Sequence, residues 1–208
     1  MGESERALGK VTAAYGARAD EYIDALGRIE HAADADRALI EKWALGLDGL
    51  VLDVGSGPGQ WTHLLTRLGV DIEGIDPVAE FVDRARVDYP TSRYRVGRAE
   101  ALPMEDASLA GVLAWYSLIH TPPRQIDTPL REFARCLRPG GGLAVGFFTG
   151  SVLEPFDHAI TTAYYWPIDQ LVERVEHAGF TVTHTETRST EGSRPHGAIL
   201  ARRTASGP

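Results

Sequence analysis

Residues 51–62 read VLDVGSGPGQWT. An apolar run, Leu50–Val54, passes straight into Gly55-Ser56-Gly57-Pro58-Gly59, and a helix-forming stretch follows from Gln60 to Leu68. A short apolar run bounded by glycines reads as a buried strand and its stop. Glycine accepts unusual dihedrals and lets a ligand approach without a β-carbon in the way. In an open α/β sheet, ligands sit at the carboxyl ends of strands, where this loop lies. Backbone amides exposed at the following helix start favour a carboxylate or a phosphate.

The same strand-then-helix rhythm continues outward. Two Ala-rich helical stretches, 4–24 and 32–46, precede the loop. After it come strands at Val70–Ile75, 93–96, Ala110–Tyr116 and Leu143–Phe148, then late strands at Phe180–Thr187 and Ala198–Ala201. Helices fall between them at Val78–Tyr89, Pro129–Leu137 and Ile168–Ala178, each stopped by Pro or Gly. The polar segment Ser189–Pro195 reads as a hairpin turn. Alternation of this kind predicts a doubly wound, mostly parallel α/β sheet with helices on both faces. A chain of 208 residues suits one such domain.

Composition narrows the partners. The formal net charge is −8, so the average surface repels a polyanion, and nucleic acid is not expected as a partner. No window approaches the roughly 18 apolar residues of a membrane span, so no membrane partner is expected. The first residues, MGESERALGKVTAAYG, are charged and lack the apolar centre of a secretory signal. The lone cysteine, Cys136, has no internal disulfide partner. Both features fit a cytoplasmic, reducing location. Monomer and homodimer are equally compatible with the sequence, and no metal site is expected.

The loop gains a partner in Asp76, which ends the second strand in GIDP, 21 residues after Gly55. An acid there accepts hydrogen bonds from ribose hydroxyls. The plainer alternative is a simple strand-to-helix turn, with Asp76 as a helix cap. A dinucleotide fingerprint needs glycine at position 60, where this chain has Gln60, which argues against a nicotinamide-dependent reductase. Asp53, just before the loop, suits a cationic amino group better than a pyrophosphate. S-adenosylmethionine carries an amino acid and a ribose but no phosphate, so it matches this set of groups better.

VLDVGSGPG, GIDP, RAEALPMEDASLAGVLAWYSLIH at 98–120 and LRPGGGLAVGFF at 137–148 occur in that order. In this ordered set, residues 12–187 resemble the class I S-adenosylmethionine-dependent methyltransferase family of small-molecule type. The resemblance implies a Rossmann-like seven-stranded, mostly parallel sheet with an antiparallel last strand and an N-terminal helical lid. It implies a single domain over 1–208: a lid at 1–46, a cofactor-binding core at 47–150, and a substrate lid with terminal helix and strands at 151–208. Asp53, Gly55, Gly57 and Gly59 would surround the methionine part of the cofactor. Asp76 would hold its ribose, Pro77 and Val78 would pack on adenine, and Ala99 and Glu100 would lie at the adenine edge. The carbonyl of Trp115 would meet the amino group, and Tyr15 and Tyr22 would close over the whole. S-adenosylhomocysteine would be the product. Many relatives carry Asp where this chain has Arg98, and that Asp accepts from the adenine amino group. Arginine has no acceptor, which leaves this contact to Glu100, backbone or water.

Methyl transfer from a sulfonium needs alignment and exclusion of water. It needs a base only when the nucleophile must lose a proton. His120, after the fourth strand in YSLIHTPP, is the candidate catalytic base, since an imidazole titrates near neutrality. Trp61, Tyr116, His158, Tyr164, Tyr165 and Trp166 are candidate substrate-contacting residues, although aromatic side chains serve a core equally well. The insert at about 149–166 is the candidate substrate lid. The expected function is methyl transfer to O, N or C of a small molecule, for which aromatic acceptors suit these walls. The alternative is a non-catalytic module that binds S-adenosylmethionine or S-adenosylhomocysteine.

Overall fold

The computed structural model describes residues 3–19, 21, 23 and 27–205. Tyr22, expected over the cofactor, lies outside the described residues. The chain opens with α1 (Glu3–Gly16), a 3-10 turn (Ile29–His31) and α2 (Asp34–Leu45). The alternating core follows as β1 (Val51–Val54), α3 (Gln60–Arg67), β2 (Ile72–Asp76), α4 (Ala79–Asp88), β3 (Arg93–Val96) and β4 (Leu109–Trp115). Then come α5 (Asp127–Cys136), β5 (Leu137–Phe148), the short strands β6 (Glu154–Asp157) and β7 (Thr162–Tyr165), α6 (Ile168–His177), β8 (Phe180–Arg188) and β9 (His196–Arg203).

Seven strands form one sheet in the order β3-β2-β1-β4-β5-β9-β8. The neighbours from β3 to β5 pair in parallel, and β9 runs antiparallel between β5 and β8. This is the expected Rossmann-like sheet with its antiparallel last strand. The strand order reverses between β1 and β4, so the loops at their carboxyl ends open a crevice there.

Side chains alternate across the strands and supply both faces. Leu52, Val54, Val112, Ala114, Leu143 and Val145 join Leu130 and Phe133 of α5 and Leu171 and Val175 of α6 in one core. Val51, Leu113 and Ala144 join Ile40 and Trp43 of α2 and Trp61 and Leu65 of α3 on the opposite face. Each large apolar side chain buried in this way contributes roughly 1.5–3 kcal/mol. Cys136, at the end of α5, is fully buried in the first core.

The structure departs from the sequence expectations in two places. Strand β5 begins at Leu137 rather than Leu143, with a register shift between the pairs Leu109↔Leu137 and Gly111↔Gly142. The Pro139–Gly142 run is therefore an irregularity within the strand and not only a helix stop. The 149–166 insert contains the antiparallel hairpin β6–β7, which the sequence did not announce. Its Phe156 and Tyr165 rings stack at 4.2 Å between centroids. The α1 end lies across this region: the Tyr15 ring meets Phe81 of α4 at 5.8 Å, and the Arg18 guanidinium donates to the Ala159 carbonyl of the β6–β7 turn. Among the described residues no helix is long and apolar enough to cross a membrane.

Candidate active site

The loop after β1 is held by its own backbone. The Gly55 and Ser56 amides donate to the Ile75 carbonyl at 2.7 and 3.1 Å, which ties the end of β1 to the end of β2. Gly55 has φ +73°, and a β-carbon there would sit 2.2 Å from the Ser117 β-carbon. Only glycine lets the β1 and β4 loops touch so closely. Gly57 has φ +54°, but a β-carbon there would meet nothing within 4 Å. The space beside it is a cavity.

Asp76 closes this loop from below. Its Oδ2 accepts from the Gly57 amide and its Oδ1 from the Val78 amide, both at 2.8 Å. Burial pushes its pKa up to about 6, and these two backbone bonds hold it from rising further. Each carboxylate oxygen keeps further acceptor capacity toward the cavity. Asp53 lies deeper. The Thr62 hydroxyl donates to its Oδ2 at 2.6 Å, and burial pushes its pKa up to about 7.

The residues expected around a cofactor fall into two groups. Tyr15, Gly55, Gly57, Asp76, Pro77, Val78, Ala99, Glu100 and Trp115 line one cavity. Asp53 and Gly59 do not line it: Asp53 is bonded beneath the loop, and Gly59 starts α3 with its carbonyl accepting from the Tyr94 hydroxyl at 2.9 Å. Phe81, not singled out in the sequence, adds an apolar wall beside Val78. At the Glu100 end, Oε2 is buried with no partner among the described residues. Arg98 lines a neighbouring surface groove with Thr12, Ala13 and Glu80, and not this cavity.

A second cavity adjoins the first and shares Tyr15, Gly55, Gly57, Trp115 and Tyr116 with it. Trp61 and His158 line it, together with Phe148, Asp36, Arg188 and His196, which sequence reasoning passed over. Arg188 of β8 pairs with Asp36 of α2. Tyr116 is a non-glycine residue at φ +58°, a costly conformation that the surroundings must enforce. Its hydroxyl hydrogen-bonds with His196 Nδ1, and its ring meets Phe148 at 5.1 Å. Burial raises its pKa, so the phenol is neutral. Tyr164, Tyr165 and Trp166 line neither cavity. Trp166 is 3% exposed in the main core, Tyr164 packs against that core, and Tyr165 stacks on Phe156. These side chains build the hairpin and its seat.

His120 has a defined proton arrangement. Its Nδ1 lies 2.8 Å from the Thr162 carbonyl, which only accepts, so Nδ1 carries the hydrogen. Burial lowers the pKa and outweighs the opposing effect of this bond, so the ring is neutral near pH 7. Nε2 then holds a lone pair, and the Tyr15 hydroxyl donates to it at 2.9 Å. The His158 ring stands 5.2 Å from that of His120. Burial, with His120 and Arg194 nearby, pushes the His158 pKa down to about 4. His120 lines the first cavity, His158 the second, and Tyr15 both.

Comparison with known proteins adds relatives to this geometry. Residues 51–141 match the family described as a methyltransferase domain. An uncharacterized methyltransferase of Mycobacterium bovis is 39% identical over 98 residues, which is 46% of this chain and 38% of that protein. Methyltransferase GfsG of Streptomyces halstedii is 32% identical over 178 residues, 78% of this chain and 63% of that protein. The chain thus spans less than two thirds of the length of either curated relative. Among solved structures, 1,6-didemethyltoxoflavin-N1-methyltransferase of Burkholderia thailandensis, with 1,6-didemethyltoxoflavin and S-adenosylhomocysteine bound, superposes with a TM-score of 0.80 at 19% identity, over 99% of this chain and 92% of that one. The cyclase SpnF gives 0.73 at 21% identity, over 86% and 84%. At such identities the likeness is one of fold.

Proposed function

Since the chain belongs to the class I S-adenosylmethionine-dependent methyltransferase family, we propose that it transfers a methyl group from S-adenosylmethionine to a small molecule held in the second cavity. The observation that carries the reading is the Asp76–Gly57 constellation, opposite the unpartnered Glu100 oxygen. Asp76 offers acceptors where ribose hydroxyls would donate. Gly57 leaves open space where a methionine chain would lie along the backbone. Pro77, Val78 and Phe81 offer an apolar slot for adenine, and Glu100 Oε2 offers the acceptor that Arg98 lacks. This set of groups thus fits this cofactor.

When bound, S-adenosylmethionine supplies a methyl group on a positively charged sulfur. The work left to the chain is orientation and exclusion of water. On this reading transfer takes place beside the five residues that the two cavities share. Trp61, Tyr116 and Phe148 wall the acceptor side, and Tyr15 of α1 and His158 of the β6–β7 turn border it. The aromatic part of this lining suits an acceptor of small-molecule size with an apolar face. The Burkholderia protein of like fold holds 1,6-didemethyltoxoflavin beside S-adenosylhomocysteine, which is in keeping with a small-molecule acceptor.

Titration calorimetry with S-adenosylhomocysteine and with NADH tests the cofactor. We expect the former to bind and the latter not; tighter binding of NADH would overturn the proposal. Incubation with methyl-labelled cofactor and a pooled metabolite extract tests catalysis. Binding without any label transfer would favour the non-catalytic module.

A further inference from the structure

Resting on that methyltransferase reading, we infer that the atom methylated is a hydroxyl oxygen, and that its proton leaves through the Tyr15 phenol to His120. The argument begins with which group faces which cavity. His120 lines the cofactor cavity but not the acceptor cavity, whereas Tyr15 lines both. Tyr15 thus borders both cavities while its hydroxyl is bonded to the imidazole. His120 is held at both nitrogens: Nδ1–H donates to the Thr162 carbonyl, and the Nε2 lone pair receives the Tyr15 hydroxyl. The carbonyl bond fixes the tautomer and aims the basic nitrogen at Tyr15. The Tyr15 oxygen, having given its hydrogen to Nε2, retains the chemistry of an acceptor.

This arrangement suits an acceptor that must lose a proton as the methyl arrives. A thiolate or carboxylate brings no proton to remove. A cationic amine would seek a carboxylate, and the acid in this cavity, Asp36, is engaged by Arg188. A hydroxyl uses the pair directly. The acceptor O–H bond breaks and its proton passes to the Tyr15 oxygen. The Tyr15 hydrogen passes to His120 Nε2. The acceptor oxygen forms its bond to the methyl carbon as the carbon–sulfur bond breaks, with that electron pair staying on sulfur. The positive charge that began on sulfur ends on the imidazolium, which later returns its proton to solvent. Among the described residues the titratable groups facing His120 are Tyr15 from α1 and His158 from the β6–β7 turn, with Arg194 beyond His158.

The test uses methyl-labelled cofactor with matched pools of phenols and alcohols, amines, and thiols. We expect label in the hydroxyl pool, recovered as alkali-stable ethers. Label chiefly in amines or thiols overturns the inference. Tyr15→Phe is expected to lower kcat by about 10²-fold, while S-adenosylhomocysteine affinity by calorimetry stays within threefold. A relay also predicts a graded loss, largest for weakly acidic acceptors and nearly absent for nitrophenols already ionised at neutral pH. An equal loss for every acceptor would reduce Tyr15 to a packing role. A readout independent of turnover is the imidazole ¹⁵N spectrum of the protein with S-adenosylhomocysteine. His120 should show a bare Nε2 and a protonated Nδ1, with the Nε2 signal shifted in Tyr15→Phe; the reverse tautomer overturns the relay. Failure to bind S-adenosylhomocysteine would overturn the methyltransferase reading itself, which is a different result from label in the wrong pool.

Discussion

Asp76 does two tasks with one carboxylate: it pins the Gly57 and Val78 amides and keeps acceptor capacity for a ligand. Asp76→Ala is expected to weaken S-adenosylhomocysteine binding by more than tenfold, because the lost hydrogen bonds are worth about 1.5–3 kcal/mol together. Its pKa, raised to about 6, gives that binding a pH dependence of definite sign. On the proposed reading, ribose hydroxyls would donate to the ionised form. Affinity should therefore be full well above pH 6 and fall as pH drops through about 6, a trend calorimetry at pH 5–8 would show and Asp76→Ala would flatten. Glu100 makes a separate prediction. Glu100→Ala should weaken S-adenosylhomocysteine but leave its 6-oxo analogue, which has no amino group to donate, nearly unaffected. The closeness of Gly55, Gly57 and Asp76 was readable from the sequence because local spacing places them at the ends of adjacent strands, whereas Gly59 falls at the start of α3. His196 and Arg188 were not readable, since Tyr116 and Asp36 reach them only across the sheet, the latter over 152 residues of chain.

The loop between β1 and α3 shows how differently two glycines in one element are constrained. Gly55→Ala would combine a positive φ with a clash against Ser117, adding roughly 1–3 kcal/mol for overpacking to roughly 1–2 kcal/mol of backbone strain. Gly57→Ala carries only the strain, since its β-carbon would enter open space. We expect Gly55→Ala to lower the thermal midpoint strongly. Gly57→Ala should fold with a small loss and fail chiefly in cofactor binding; equal thermal losses would count against this distinction. The β1–α3–β2–α4 run was legible because apolar strands alternate with helices closed by Gly and Pro. The β6–β7 hairpin was hidden: EPFD and TAYY lack strict alternation, and their ladder depends on packing against β5 and Ile119. For the same reason Tyr164 and Trp166 read equally well as pocket walls or core, and only the folded chain distinguishes the two.

At the scale of the molecule, distant segments are fastened around the crevice. Arg188 of β8 reaches Asp36 of α2, whose side chain is 10% exposed. Arg188→Ala strands that carboxylate without its cation and should cost about 3 kcal/mol in denaturant unfolding. Asp36→Ala should cost less, because Arg188 keeps Glu186 and more contact with water. Cys136 gives this fold a clock. The thiol is fully buried behind the sheet, and burial pushes its pKa up to about 11. A thiol reagent has no route to it through the crevice, so labelling waits on the first core coming apart. Alkylation under native conditions should therefore be slow and become independent of reagent concentration once the reagent outpaces reclosure. Its plateau rate would time the opening of the core, and ligands that bind the crevice should lengthen that time even though none touches the sulfur.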